Sequence, residues 1–341
     1  MNKKEMLRKW GLPAACVAAL LISLWIYRVF FGAVSHVADT AHLYIDTDDT
    51  ADSVQVKMKR ELQTGTTSGF SILAFLTGYE VKTGCYAVRP DENMLRLFLD
   101  LKRGRQTPVR LTIPSVRTMD RLAGVLGDRL MMDSATLARQ FADTAFCRRY
   151  GYDTATLACL FIPDTYEVYW NIDLDSFMQR MQKENKAFWT EERLAKARNA
   201  GMTPEEVVTL ASIVDEETAN NAEKPMVAGM YINRLRTGMP LQADPTVKFA
   251  LHDFALRRIY HNMLDTDSPY NTYRNIGLPP GPIRIPSVAG IDAVLNHVDH
   301  DYLYMCAKED FSGTHNFART YREHLANAAR YTAALNKRGV K

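Results

Sequence analysis

The sequence predicts an α+β fold behind one N-terminal apolar helix, and three observations lead there. Helical segments and short strand-like segments are mixed along the chain. An uncharged run at residues 10–27, WGLPAACVAALLISLWIY, precedes them all. The 341 residues, 47% of them apolar, suffice for two domains beyond that run.

The run begins after Lys3, Lys4, Arg8 and Lys9. Residues 1–9 read as a cytoplasmic tail and residues 10–31 as a transmembrane helix. The length is close to the minimum for a span, and Arg28 can snorkel to the interface. Trp10, Trp25 and Tyr27 sit where aromatic belts form. A cleaved signal peptide is the competing reading. Against it, the run is long for a signal's apolar region, and FFGAVSH lacks a clean small-x-small cleavage site. The basic flank lies inward and the acidic stretch at 39–52 outward, which puts the larger part of the chain beyond the membrane.

Residues 41–63 alternate modestly, as a strand and then a helix. GTTSG is a loop, and FSILAFLTGY is a short helix ended by Gly78. The strand CYAVRP leads to a helix capped by Asp91, with Met94, Leu97, Phe98 and Leu101 on one face and Gly104 at its end. VRLTIP closes a small α+β unit over residues 40–114. Residues 115–341 form a larger α+β domain. It opens with the helical stretches SVRTMDRLAGVLGDRL and DSATLARQFAD, the second capped by Asp133 or Ser134. LFIPDTYEVYW reads as a turn flanked by aromatics, and DLDSFMQRMQKENKAFW and EERLAKARNAG as helices. The region from Gln242 on is rich in Pro, Gly and Asn. A strand YLYMCAK, a polar turn DFSGTHNF and a final helix complete the chain.

The segment TPEEVVTLASIVDEETAN places Asp215, Glu216 and Glu217 in succession on a helix. Thr203, Pro204 and Glu206 give a strong start signal: a capping threonine, proline at the first position and a capping-box glutamate. At about 100° per residue, Val207, Leu210, Ala211 and Val214 make the apolar stripe. Glu217 falls at its edge, Glu216 on the wet face, and Asp215 on the other flank. Of the three, Glu217 is the one expected to be desolvated and to have a raised pKa. An amphipathic helix with an acidic end is the plainer alternative, although acids are favoured at helix N-termini and not here.

A lone carboxylic acid beside a polar, aromatic groove suggests glycosidic bond cleavage, because the leaving oxygen must be protonated. The groove candidates lie on loops: Asp164 and Tyr166, Gln242 and Asp244, Tyr270, Asn271 and Tyr273, then His315 and Asn316. Asp244 before Pro245 also has the pattern of a helix start, and Gly281 in LPPGPI that of a rigid turn with positive φ. A net charge of +3 is too mild to argue for nucleic acid. The eight histidines and five cysteines show no metal-ligand spacing. Outside the span, Cys85, Cys147, Cys159 and Cys306 read as single buried thiols, with disulfides permitted by their even number. GxSxG, HExxH and a phosphate-binding glycine loop are all missing from the sequence.

The segments LFIPDTYEVYW, LASIVDEET, INRLRTGMPLQADPTV, YNTYRNIGLPPGPI and GTHNF, in this order and spacing, resemble the YceG/MltG family of endolytic murein transglycosylases. These are membrane-anchored enzymes of bacterial cell-wall synthesis. The resemblance implies an N-terminal anchor, a LysM-like subdomain at residues 40–114, with KTGCYAVRP matching its Gly-x-Tyr strand start, and a YceG-like catalytic domain at 115–341. It places the catalytic acid/base on Glu217, and it implies no metal or cofactor. The family's first motif glutamate is Asp215 here, a shorter side chain.

The implied reaction is non-hydrolytic scission of the MurNAc–GlcNAc β-1,4 bond within a glycan strand, leaving 1,6-anhydro-MurNAc ends. Implied partners are peptidoglycan strands, penicillin-binding proteins and other wall-synthesis enzymes. The implied location is the inner membrane, with a periplasmic catalytic domain. Substrate contacts are expected from Gln242, Asp244, Tyr270, Asn271, Tyr273, Asp164, Tyr166 and His315. Two other readings stay open: a hydrolase of the same bond, with Asp244 or Asp164 as second carboxylate, and a non-catalytic, membrane-tethered glycan-binding protein.

Overall fold

The computed structural model describes residues 3–256 and 258–338. Met1 and Asn2 of the expected tail, Gly339, Val340 and Lys341 of the expected second domain, and the side chains of residues 3–10, which carry the basic flank and Trp10, lie outside the described residues. Helix α1 (Lys3–Phe30) has 28 residues, about 42 Å at ~1.5 Å per residue. Its Pro13–Phe30 portion is, among the described residues, the one helical stretch long and apolar enough to cross a bilayer.

The chain divides into two units. One comprises Met1–Arg110, Arg129–Met131 and Glu167–Ile172; the other comprises Leu111–Asp128, Met132–Tyr166 and Asp173–Lys341. In the first, α1 is followed by β1 (Ala41–Ile45), α2 (Ala51–Glu61), α3 (Ser68–Thr77), β2 (Gly84–Val88) and α4 (Met94–Arg103). The two strands pair antiparallel with Leu43 opposite Tyr86, and Leu43, Ile45, Tyr86 and Val88 face the unit's core. A capping box of Thr50 and Ser53 starts α2, which buries Val54 and Met58 against that face. Gly69 lets the start of α3 approach α1 closely, since a Cβ there would lie 2.7 Å from the Val29 carbonyl oxygen. Helix α4 buries Met94, Leu97, Phe98 and Leu101, as their spacing predicts, and ends at Gly104 in the left-handed conformation. Its cap is Asn93, whose Oδ1 accepts the Arg96 N–H at 2.9 Å, and not Asp91, which lies too early to reach the first turn.

Strand β3 (Val109–Thr112) leads into the second unit, with α5 (Met119–Arg129), α6 (Ser134–Phe141) and α7 (Thr144–Arg149). Asp133 caps α6 by accepting the Thr136 N–H. The expected aromatic turn at LFIPDTYEVYW contains a strand, β4 (Thr165–Val168), after a 3-10 turn at Leu157–Leu160. Tyr, Glu and Val there alternate between buried and exposed, a period too short to separate from a turn by eye. Then come α8 (Leu174–Phe188), α9 (Glu191–Asn199), α10 (Pro204–Glu217), α11 (Lys224–Arg236), α12 (Asp244–Ala250), α13 (Val288–Leu295), β5 (Tyr304–Ala307), β6 (His315–Ala318) and α14 (Tyr321–Lys337). The polar turn expected across DFSGTHNF is shorter than predicted, because His315–Ala318 pairs antiparallel with β5, His315 opposite Ala307.

Helix α10 is the centre of this unit. Every residue from Val207 to Val214 is buried, Thr209 and Ser212 included, so the one-sided stripe expected from the helical wheel is corrected to burial all round. The polar residues are tolerated because they are bonded: the Ser212 hydroxyl donates to the Thr209 carbonyl at 2.6 Å and accepts the Ile283 N–H at 3.0 Å. The expected positive φ at Gly281 is also corrected. Gly277 has it (φ 93°), while Gly281 is required because a Cβ would lie 2.1 Å from the Ala155 carbonyl oxygen. All five cysteines are unpaired.

Candidate active site

The C-terminal end of α10 sends its three acids in three directions. Asp215 turns into the protein, with a side chain only 4% exposed. It meets Lys224 Nζ at 2.8 Å and accepts from the backbone N–H and hydroxyl of Ser287, the residue that caps α13. Glu216 does not face water, contrary to the wheel. Arg117 clasps it in a bidentate pair at 2.8 and 2.9 Å, and Arg284 Nη1 adds a third bond at 2.9 Å. Both partners are remote in sequence, so the wheel of an isolated helix could not show them.

Glu217 opens into a pocket of about 230 Å³ that is also lined by Tyr231, Arg234, Gln242, Asp244, Tyr273 and His315, with Met230, Met305, Cys306 and Ala307 completing the wall. The Tyr231 hydroxyl donates to Glu217 Oε1 at 2.7 Å. Enclosure by protein pushes the Glu217 carboxyl up to about 7. The Tyr231 hydrogen bond opposes that rise, the nearby Asp244 charge adds to it, and the Arg234 charge pulls the other way, as does His315 in its protonated form. A carboxyl with this pKa is divided between acid and base at neutral pH, the condition for donating a proton and then taking one back. The Tyr231 hydroxyl is held well above its ordinary value, chiefly by burial and then by Glu217, so it remains a donor.

Arg234 is buried, donating through Nε to the Leu303 carbonyl and through Nη1 to the Leu241 carbonyl, both at 2.6 Å. Its guanidinium thus ties α11 to β5 and to the loop carrying Gln242. That loop is held in an unusual shape. Gln242 has φ 48°, the left-handed region a side-chain-bearing residue seldom adopts. The cost, on the order of 1 kcal/mol, is offset by the surroundings. Gln242 N–H donates to the Thr272 carbonyl, Ala243 N–H to the Thr272 hydroxyl, and the buried Thr246 and Thr272 hydroxyls lie 2.9 Å apart. A helix, α12, does start where Asp244 and Pro245 predict it, but the Asp244 carboxylate accepts the Tyr273 hydroxyl in place of capping that helix.

The structure therefore brings Glu217, Gln242, Asp244, Tyr273 and His315 to one pocket and places the other candidates elsewhere. Asn271 is fully buried; its amide donates to the Leu264 and Thr266 carbonyls and its Oδ1 accepts the Tyr273 N–H, so it shapes the loop beneath Tyr273. Tyr270 packs against Phe249, centroids 4.7 Å apart with the rings tilted by 48°, and lines a different cavity of about 470 Å³. Tyr166 is buried and donates to the Ile162 carbonyl at 2.7 Å. Asp164 accepts the N–H of Thr165 and lies outside the pocket lining. Asn316 points to Glu309 at 2.7 Å. Asn271, Tyr166, Asp164 and Asn316 spend their polarity on backbone or neighbouring groups, and Tyr270 spends its ring on Phe249.

Sequence reasoning missed Tyr231, Arg234 and Glu223. Tyr231 and Arg234 stand three apart on α11, a helix otherwise largely apolar on its buried side, and that spacing puts two polar side chains on one face. Glu223, just before α11, carries no local signal; its role comes from β6, as described below.

One enclosed carboxyl group with a raised pKa stands among side chains that donate and accept hydrogen bonds, an arrangement able to give up a proton and take it back. The chain belongs to the YceG-like family, whose model matches residues 43–330. It is 33% identical over 165 residues to an endolytic murein transglycosylase of Bacillus subtilis, covering 48% of this chain and 45% of that one. With the endolytic murein transglycosylase of Streptococcus pneumoniae the identity is 27% over 296 residues, covering 77% of this chain and 53% of that one. The matched part thus spans about half the length of these relatives. A crystal structure of a yceG-like protein of Listeria monocytogenes superposes with a TM-score of 0.56 at 25% identity, covering 84% of this chain and 98% of that one.

Proposed function

We propose that this protein is an endolytic peptidoglycan lytic transglycosylase that cuts the MurNAc–GlcNAc β-1,4 bond within glycan strands. The observation that carries the reading is the enclosed Glu217 carboxyl, raised to about 7 and held by Tyr231 at the floor of a polar pocket. In the acid form Glu217 gives its proton to the glycosidic oxygen as the C1–O bond breaks. The C6 hydroxyl of the same MurNAc attacks C1, forming the C1–O6 bond of the anhydro ring, and its proton returns to Glu217. The acid is regenerated, and no water enters the products. Effective molarity of an internal hydroxyl supplies several kcal/mol of the barrier, about 7–11 in well-oriented cases, without a second acid group.

Gln242, Tyr273 and His315 would hold sugar hydroxyls and amides. Asp244 would face the positive charge that develops at C1. Relatives named as endolytic murein transglycosylases support the proposed activity. We further assign residues 10–31 to a single-pass inner-membrane anchor with residues 1–9 cytoplasmic, residues 40–114 to a LysM-like glycan-binding subdomain, and residues 115–341 to a periplasmic catalytic domain. Nascent glycan strands and the penicillin-binding proteins that extend them are the expected partners.

A hydrolase of the same bond is the second reading, because Asp244 gives the pocket a second carboxylate. Mass spectrometry of products from purified peptidoglycan separates the two. Anhydro-MurNAc ends that vanish with Glu217→Gln support the transglycosylase; reducing MurNAc ends would establish the hydrolase. Binding without cleavage would leave only a glycan-binding protein.

A further inference from the structure

One buried carboxylate behind the pocket wall turns both of its oxygens to the same residue of β6. Glu223 is 8% exposed and immediately precedes α11. Its Oε1 accepts the backbone N–H of His315 at 2.6 Å, and its Oε2 lies 2.9 Å from His315 Nδ1. The Thr218 hydroxyl donates to the same Oε2 at 3.1 Å while accepting the Asn220 N–H. An ionised carboxylate only accepts, so the proton between Oε2 and the ring belongs to Nδ1. In the neutral imidazole this leaves Nε2 as a lone-pair acceptor. His315 lines the Glu217 pocket, and among the described residues its Nε2 has no hydrogen-bond partner.

We propose that Glu223 is a positioning residue: it locks His315 in the Nδ1–H form, so that Nε2 accepts a hydrogen bond from a hydroxyl of the sugar bound against Glu217. The inference rests on glycan being the substrate of this pocket. A clamp that merely fastened β6 to α11 would be served by the backbone bond alone. The second bond, to the ring, adds nothing to such a clamp, but it decides which face of the hydrogen-bonding code the ring shows to the substrate.

Glu223→Gln separates the two roles. Glutamine keeps an oxygen for the His315 backbone N–H, and the Thr218 hydroxyl can rotate to accept one amide proton. The other amide proton then points at Nδ1, which must become the acceptor, and the ring proton moves to Nε2. The acceptor in the pocket becomes a donor with the clamp intact. The test uses the full chain in detergent micelles, with 15N-labelled histidine and un-crosslinked glycan strands as the probe.

For Glu223→Gln, the His315 ring signals, identified by their loss in His315→Asn, should change from the Nδ1–H to the Nε2–H pattern. Tm should stay within a few degrees of wild type, and kcat/KM should fall at least about tenfold, the wrong-tautomer effect. Combining the two substitutions should cost no more than His315→Asn alone. An unchanged ring pattern, or an inverted pattern with wild-type kinetics, overturns the proposal. If the wild type binds strands but cuts none, the transglycosylase reading falls separately, and binding becomes the readout. Affinity weakened about tenfold by Glu223→Gln then sustains the proposal, and unchanged affinity ends it.

Discussion

The Tyr231 hydroxyl and Glu217 Oε1 are 2.7 Å apart, and this one bond joins the acid at the end of α10 to the middle of α11. Enclosure raises the carboxyl, and Tyr231 restrains the rise. Tyr231→Phe removes the restraint while keeping the ring that fills the core. The alkaline limb of the pH–rate profile, set by loss of the Glu217 proton, should lie near pH 7 in the wild type. In the variant it should move upward by on the order of one pH unit, with a several-fold lower rate at pH 6 from looser aim of the carboxyl. A limb that stays in place would mean another group sets it.

The same carboxyl makes stability depend on pH. Its ordinary value is 4.5 and its folded value about 7, so between those limits the folded state binds more protons than the unfolded one. Stability from this group is therefore lost as pH rises from 4.5 through 7, and the full cost, on the order of 3 kcal/mol, applies above that window. Glu217→Gln removes the cost and with it the activity. Its Tm should match wild type at pH 5 and exceed it by several degrees at pH 8, read by scanning calorimetry. Equal Tm values at both pH values would contradict the enclosed-carboxyl account.

How much of this was legible beforehand depends on whether the signal was local. The cap at Thr203, the glycine stop at Gly78 and the buried face of α4 all follow from spacings within a turn or two of helix, and the structure has each. What failed was mostly long-range. Glu216 looked solvated because Arg117 lies 99 residues away. Glu223 was unreadable for the same reason, its partner lying 92 residues on. Asn271 is a different case: its amide closes its own loop onto Leu264 and Thr266, seven and five residues back, an irregular turn with no periodic signature. Polarity on a loop says that a side chain needs hydrogen bonds, and only the packed chain shows whether a substrate or the backbone supplies them.

Glu216 is accordingly expected to matter for folding and not for chemistry. Glu216→Gln keeps the size but strips the charge between Arg117 and Arg284, leaving Arg284 inside with its charge uncompensated. Arg117 is 46% exposed and regains water, which limits the loss. The stability cost should be about 2 kcal/mol by denaturant unfolding, with the rate per folded molecule within about threefold of wild type. A large rate loss at unchanged stability would move Glu216 into the catalytic apparatus.

Asp215 and Gly290 should behave as one unit. The Asp215 carboxylate is pinned by Lys224 and Ser287 directly against the first turn of α13. A Cβ on Gly290 would lie 2.5 Å from Asp215 Oδ1. The oxygen cannot swing aside without breaking a buried ion pair, so Gly290→Ala should cost about 1–3 kcal/mol despite alanine's better helix propensity. Asp215→Ala should cost about 3–5 kcal/mol, because Lys224 is left buried and alone. Since the first substitution acts by displacing what the second removes, the double variant should be more stable than the two single costs predict by at least about 1 kcal/mol. A double-mutant cycle by urea unfolding measures this coupling. Strict additivity would mean that α13 relaxes around the new methyl group, and that the aspartate's short reach is not what the glycine accommodates.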